Sequence, residues 1–93
     1  TWGIIGDATA DGWNSDQDMT WNSDKKCWTA TLTLTDGTMK FRANDGWDIN
    51  VGGKADDLSF GGDNLSVSAG TYDIELYLER TDSDVMYCTM TKK

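Results

Sequence analysis

Apolar and polar residues alternate in short runs along this chain, and clusters of Gly, Asn and Asp separate the runs. The clearest run is 27–34, where one face carries Trp28, Ala30, Leu32 and Leu34 and the other carries Thr29, Thr31 and Thr33. Because successive side chains of a strand point to opposite faces, this pattern predicts a strand with one buried face. No segment shows the 3.6-residue apolar period of an amphipathic helix.

The same alternation predicts eight strands and an all-β fold. They lie at residues 2–6, 18–22, 27–34, 38–44, 48–51, 65–67, 71–79 and 85–91. In the last two strands the predicted inward residues are Tyr72, Ile74, Leu76, Leu78, Met86, Cys88 and Met90, and the predicted outward ones are Asp73, Glu75, Tyr77 and Glu79. Half-buried strands must cover each other's apolar faces, so we expect a two-sheet antiparallel β-sandwich, immunoglobulin-like or carbohydrate-binding-module-like.

The stretch from Met39 to Gly53 combines a predicted strand with a Trp-bearing loop. Its inward face carries Met39, Phe41 and Ala43, and its outward face carries Lys40, Arg42 and Asn44. The outward row leads into Trp47, which follows a glycine. An indole face can stack on the apolar face of a sugar ring while Arg and Asn bind its hydroxyls, so this stretch is a candidate glycan site.

The segment 52–64, which contains two Gly-Gly pairs, is predicted to be a mobile loop beside the Trp47 segment. Loops in that position often border ligand sites. An equally weighted alternative is a plain connection whose Phe60 fills the core.

The chain has 93 residues, a formal net charge of −8 and a sequence pI near 4.1, which fits one small domain with an acidic surface. So few cations argue against binding to nucleic acid or to anionic membranes. The sequence has no long apolar run, signal peptide or lipidation motif, and we expect it to be one domain of a longer multidomain surface protein.

The residue inventory gives little support for catalysis, metals or cofactors. There is no His, and Cys27 and Cys88 do not form a CxxC motif, so we expect no cofactor, no zinc site and no enzyme activity. Strand parity places Cys27 outward and Cys88 inward, which predicts two free thiols. The Asp-rich segments 14–18 and 82–84 are predicted to be solvated turns, with structural calcium left open.

Five Trp residues are more than a small core usually accommodates. Trp13, Trp21 and Trp47 each lie among Gly, Asn and Asp rather than in an apolar run, so some of them are expected to face a ligand. The alternative for each is a Trp that seals one end of the sandwich.

The order of several motifs resembles a domain of the SusE/SusF family. The motifs are Trp2-Gly3-Ile4-Ile5-Gly6-Asp7-Ala8-Thr9, Gly12-Trp13, Met19-Thr20-Trp21, Trp28-Thr29-Ala30, Lys40-Phe41-Arg42-Ala43-Asn44, Trp47-Asp48-Ile49-Asn50 and Gly70-Thr71-Tyr72. The resemblance covers nearly the whole chain. It implies a β-sandwich from a lipid-anchored outer-membrane protein at the surface of Gram-negative bacteria, holding starch-like α-glucan near other glycan-uptake proteins.

The resemblance matches the family's sugar-binding motifs to Trp47, Trp13, Arg42 and Asn44. The family also has a second sugar-stacking aromatic residue in the variable loop, and the only match for it in 52–64 is Phe60. Lys40, Asn50 and Trp21 are further ligand-binding candidates. We therefore expect a non-catalytic module that binds malto-oligosaccharides weakly, with affinity nearly flat between about pH 6 and pH 8. The alternative is a spacer domain of the same fold that positions neighbouring domains or a transporter.

Overall fold

The structure is a computed structural model that describes residues 2–78 and 86–93. The described residues contain ten strands and no helix. They therefore include no helix that is long and apolar enough to cross a membrane. The strands are β1 (Trp2–Ile5), β2 (Gln17–Asp18), β3 (Thr20–Asn22), β4 (Cys27–Leu34), β5 (Gly37–Ala43), β6 (Asn50–Lys54), β7 (Asp57–Phe60), β8 (Leu65–Val67), β9 (Gly70–Tyr77) and β10 (Tyr87–Lys92). Some of the predictions concern residues outside the described ranges, namely Glu79, Val85 and the segment 82–84.

Two antiparallel sheets pack together, which confirms the predicted all-β two-sheet sandwich. The first sheet has the order β2-β1-β5-β6-β7, with β8 pairing along the beginning of β5. The second sheet has the order β10-β9-β4-β3. In the first sheet Ile4, Phe41 and Val51 lie in one inward row. Their fully buried side chains meet those of Leu34, Ile74 and Leu76 from the second sheet.

The inward faces predicted for β4, β9 and β10 are confirmed. Trp28 and Leu32 are half-buried against the core, and Cys88 is buried within it between Met86 and Met90, which also pack there. Alternation predicts these positions well because one face of each strand is covered by the opposite sheet.

The two sheets are joined at both edges. At one edge the chain crosses from β2 to β3 at Met19, whose N–H donates to the Trp2 carbonyl (2.9 Å) and whose side chain is buried. The single strand predicted at 18–22 is divided into two in the structure, because the residues before Met19 pair with β1 and those after it pair with β4. At the other edge the Leu58 N–H donates to the Met86 carbonyl (2.9 Å) and the Cys88 N–H to the Ala55 carbonyl (2.8 Å).

The segment 52–64 is largely a hairpin of β6 and β7, so the predicted loop is wrong for most of its length. Lys54 pairs with Asp57 across a tight turn, and Leu58 takes the inward place in the core. Phe60 lies at the end of the edge strand and is 68 % exposed, so the alternative in which it fills the core is also wrong. Alternation was difficult to follow here because the consecutive Gly52 and Gly53 interrupt it on both faces of β6, and β7 is only four residues long.

Both cysteines are free, as predicted. Cys27 lies on the outer face of β4, but it is buried because Tyr77 covers it. The Tyr77 ring stacks on that of Tyr87, with centroids 4.6 Å apart and planes 4° from parallel. Burial raises the pKa of Tyr77, and its hydrogen bond with Cys27 adds to the shift. Burial also raises the pKa of the Cys88 thiol to about 12.

Candidate functional site

Two exposed indoles contact each other on the outer face of the first sheet. Trp13 comes from the β1–β2 connection and Trp47 from the β5–β6 connection, and their ring centroids are 5.9 Å apart with planes inclined by 36°. Trp13 is 40 % exposed and Trp47 48 % exposed. We call this pair the indole platform. Large aromatic rings left half in water are costly unless a ligand or partner covers them.

A buried cation lies beside the platform. The Arg42 guanidinium carbon is 5.0 Å from the centroid of the Trp47 ring, a distance at which a cation is attracted to an indole face. Arg42 is only 7 % exposed. Its Nε and Nη2 donate to Oδ1 of Asp16 at 2.9 and 2.5 Å, and the Asp16 side chain is 2 % exposed. This hydrogen bond raises the pKa of Arg42, so the guanidinium is charged at every relevant pH.

Asp16 can reach Arg42 because Gly3 lies between the flanking strands. In the sheet register Gly3 is opposite Asp18 on β2 and opposite Arg42 on β5. A Cβ at Gly3 would come 2.7 Å from the Cβ of Asp16. Asp16 was predicted to lie in a solvated turn at 14–18, but its side chain is buried. Gly3 was not predicted to have this role, although a glycine inside a strand is a sign of close approach by another segment.

Polar side chains from β5 and β6 hold the loop that carries Trp47. The Asn50 Nδ2 donates to the Trp47 carbonyl (3.0 Å), and the Lys40 Nζ donates to Asn50 Oδ1 (2.6 Å). The loop begins with Asn44 and Asp45, which both have left-handed backbones with φ of 55° and 57°. Asn and Asp are the non-glycine residues that tolerate this conformation best. Lys40 and Asn50 therefore act on Trp47 through the backbone of its loop.

An excess of carboxylates surrounds Arg42. The charge of Asp16 raises the pKa of Asp45 above its usual range, and partial desolvation and the charge of Asp18 act in the same direction. Oδ2 of Asp16 is buried and has no hydrogen-bond partner among the described residues. Arg42 thus compensates only part of the negative charge that meets here.

The structure brings most of the predicted site residues to one place. Trp13, Trp47 and Arg42 are in contact, Lys40 and Asn50 support them, and Asn44 lies exposed in the turn before Trp47. Trp21 is elsewhere: it belongs to the second sheet, where its half-exposed ring packs edge-on against Trp28 at 5.4 Å. Phe60 is exposed on β7 and makes no ring contact with Trp13 or Trp47 within the described part of the chain.

A shallow depression lies away from the platform. It has a volume of about 450 Å³, is on the outer face of the second sheet, and is lined by Thr20, Thr29, Thr31, Asp73 and Glu75 among others. Its polar groups are paired with one another: Thr31 donates to Asp73 (2.7 Å), and Lys25 and Thr89 donate to Glu75. These contacts describe a solvated strand face rather than a site with free binding groups.

Comparisons with protein-family models, with curated proteins and with solved structures return no match.

Proposed function

We propose that this domain is a non-catalytic carbohydrate-binding module that holds starch-like α-glucan. The observation that carries the proposal is the indole platform. Two half-exposed indoles from separate connections contact each other. A buried ion pair lies against them, and a hydrogen bond from Asn50 holds the Trp47 loop. A rigid aromatic surface of this kind can stack on the C–H faces of sugar rings without reorganising first.

The tilt between the indoles favours a curved chain over a flat one. Two sugar rings that stack on planes inclined by 36° cannot be coplanar, and α-1,4-linked glucose units turn relative to their neighbours, whereas β-1,4-linked chains lie flat. Malto-oligosaccharides are therefore the ligand class proposed here. The resemblance to the SusE/SusF family adds the proposed setting, a lipid-anchored protein at the outer membrane of a Gram-negative bacterium, beside other glycan-uptake proteins.

Within this proposal the residues divide into two groups. Trp47 and Trp13 contact the sugar by stacking, and Asn44 is the exposed amide closest in sequence to Trp47. Arg42, Lys40 and Asn50 have partners within the fold and serve the platform by fixing Trp47. Trp21 is not part of this ligand surface.

A spacer domain without a ligand site remains the second candidate. One observation favours it: the cationic side chains expected to bind hydroxyls, Arg42 and Lys40, are buried and bonded internally. A platform with few free polar groups depends on stacking for nearly all of its affinity. The two functions differ in one measurable respect, which is whether the chain binds a soluble α-glucan at all.

The test is titration of the 93-residue chain with maltohexaose and a cyclic analogue, followed by Trp fluorescence and calorimetry. We expect a dissociation constant of roughly tens of micromolar to millimolar, since an open surface stacks only two or three rings. Trp47→Ala should abolish binding, Trp13→Ala should weaken it strongly, and Asn44→Ala should weaken it slightly.

Trp21→Ala is the matched control, because Trp21 is 49 % exposed, as Trp47 is, but lies on the other sheet. It should bind like the parent chain. Far-UV spectra and melting temperatures must show that all variants are folded. Equal losses for Trp21→Ala and Trp47→Ala would remove the platform from the proposal, and absence of binding at millimolar glucan would leave the spacer function.

A further inference from the structure

The exposed charges on the two segments that carry the indole platform are all negative. The segments that carry the two indoles, residues 6–18 and 43–51, contain Asp7, Asp11, Asp16, Asp18, Asp45 and Asp48 but no Lys or Arg. Asp11, Asp18, Asp45 and Asp48 are exposed. The cations nearest in sequence, Lys40 and Arg42, are both buried and bonded to Asn50 and Asp16.

A second observation is that the carboxylates here outnumber the cations. The buried Asp16 carboxylate is paired with Arg42, and the exposed carboxyl of Asp45 lies against that pair. Facing Asp45 are Asp16 from the β1–β2 connection, Asp18 from β2 and Arg42 from β5. Three carboxylates thus share one guanidinium. Because that guanidinium contacts the Trp47 ring, the excess negative charge lies close to the ring.

We propose that the indole platform selects its ligands by charge: it takes sugars that carry no negative charge, prefers those bearing an ammonium group, and excludes chains of uronic acids. The preference rests on the proposed function, because it concerns the same surface. An ammonium on a stacked sugar would lie close to the carboxylates of Asp45 and Asp48, whereas a carboxylate would meet them with no Lys or Arg in residues 6–18 and 43–51 to balance it. Neutral α-glucan is accepted, since it brings no charge to the site.

A divalent metal is the other species that could use these carboxylates. Within residues 2–78 and 86–93 no three His, Cys, Asp or Glu side chains are arranged to hold a metal ion, and Asp16 is already bonded to Arg42 through Oδ1. An ammonium group needs fewer ligands than a metal ion and can use single carboxylates at the rim. The observations therefore favour an ammonium-bearing sugar.

The direct test compares three malto-oligosaccharides of equal length: the neutral chain, its 6-amino-6-deoxy derivative and its C6-oxidised derivative with carboxylates. At low ionic strength the amino derivative should bind about two- to fivefold more tightly than the neutral chain, the factor expected of one exposed ion pair, and the carboxylate derivative weaker by a similar factor. Added salt should reduce both differences. Equal affinities for all three, or tighter binding of the carboxylate, would overturn the proposal while leaving glucan binding itself intact.

A test without sugar keeps the inference separate from the proposed function. In a Trp21→Phe background, which removes the exposed indole of the second sheet, caesium should quench Trp fluorescence more than iodide does, after normalisation to free N-acetyltryptophanamide. The Asp45→Asn/Asp48→Asn variant should lose about half or more of this difference. The Asp56→Asn/Asp57→Asn variant changes the net charge equally on the exposed β6–β7 hairpin and should keep it.

Iodide quenching equal to caesium quenching, or equal effects of the two double variants, would overturn the charge preference even if neutral glucan binds. Conversely, failure of neutral glucan to bind would count against the proposed function, and the ratio of the two quenchers would still decide whether the platform is negatively charged. A calcium-dependent change in quenching that Asp45→Asn abolishes would assign the carboxylates to a metal ion and overturn the ammonium proposal.

Discussion

At the scale of single residues, the Arg42–Asp16 pair connects the two segments that carry the indoles. Asp16 belongs to the Trp13 segment, and Arg42 lies against Trp47. Both side chains are buried, so removal of either partner leaves a charge without compensation in a site of low polarity. The pair should therefore be far more important to the fold than an ion pair at the surface.

Arg42→Ala should accordingly lower the free energy of unfolding by about 3 kcal/mol or more. The loss arises mainly from the unpaired Asp16, so the double variant Arg42→Met/Asp16→Leu should be more stable than Arg42→Ala alone. Denaturant unfolding measures both. If Arg42→Ala were as stable as the parent chain, Asp16 would have to be solvated in the folded protein, contrary to its buried position here.

Asp45 gives a pH dependence whose sign can be derived. Its pKa is raised in the folded chain, chiefly by the charge of Asp16, so the folded state holds this proton more tightly than the unfolded state does. Its contribution to stability is therefore most favourable in acid, and it declines as the pH rises from the ordinary Asp range near about 4 through the folded-state pKa.

Asp45→Asn should raise the melting temperature at neutral pH, and the gain should vanish in acid. Asp48→Asn, in the same loop and equally exposed, is the control and should show a smaller gain. A gain independent of pH would contradict the assignment to Asp45. The sugar affinity expected to be nearly constant between about pH 6 and pH 8 stays a prediction. If the affinity changes as the pH falls, protonation of Asp45 is the expected cause.

At the scale of elements, the close approach of Gly52 and Gly62 holds the β6–β7 hairpin against the chain that follows it. A Cβ at Gly62 would come 2.5 Å from the Gly52 carbonyl oxygen, and the Gly53 N–H donates to the Asp63 carbonyl at 2.6 Å. The atoms in contact are backbone atoms, which cannot rotate away.

Gly62→Ala should therefore lower the free energy of unfolding by about 1–3 kcal/mol. Gly46→Ala is the matched substitution, because the nearest atom to its added Cβ would be 3.9 Å away, and it should leave stability nearly unchanged. Thermal unfolding of both variants makes the comparison. Equal melting temperatures would mean that the hairpin can move away from residues 61–64 without loss.

The elements predicted correctly are those in which one face is covered by another sheet. β4, β5 and β9 follow from alternation, since each contributes inward residues to one core. The break at Met19 and the β6–β7 hairpin do not follow from it. The first depends on the two sides of Met19 pairing with different strands, β1 and β4, and the second contains consecutive glycines that interrupt the alternation in β6.

The candidate site was partly predictable for a related reason. Trp13 and Trp47 are conspicuous because large apolar residues stand among polar ones, and both prove to be exposed. Their pairing, and the role of Asp16, depend on which connections meet on the first sheet. Arg42 was predicted to offer its donors to a ligand, but local alternation could not indicate that Asp16 is bonded to it.

At the scale of the whole molecule, both cysteine thiols are buried within the described part of the sandwich. Cys27 is covered by Tyr77, Cys88 lies in the core, and backbone hydrogen bonds from β7 and the hairpin turn join the two sheets beside β10. Burial also raises the pKa of Cys88, so little thiolate forms even in mild base.

Both thiols should therefore react with an aromatic disulfide reagent only when the domain unfolds. Unreduced protein in denaturant should show two thiols, and native protein should react at a rate that follows the unfolding rate in a denaturant series. Fast reaction of one thiol in the native state would show that Tyr77 moves away from Cys27 without unfolding. A count of zero in denaturant would contradict the free cysteines.

The nearness of Trp13 and Trp47 has an optical consequence. Indoles whose centres are 5.9 Å apart do not absorb independently: their electronic transitions couple and produce a pair of circular dichroism bands of opposite sign. Trp21 and Trp28 form a second coupled pair, which Trp21→Phe weakens. The couplet that remains records the angle between the platform indoles, so the shape of the surface can be followed in solution before any ligand is known.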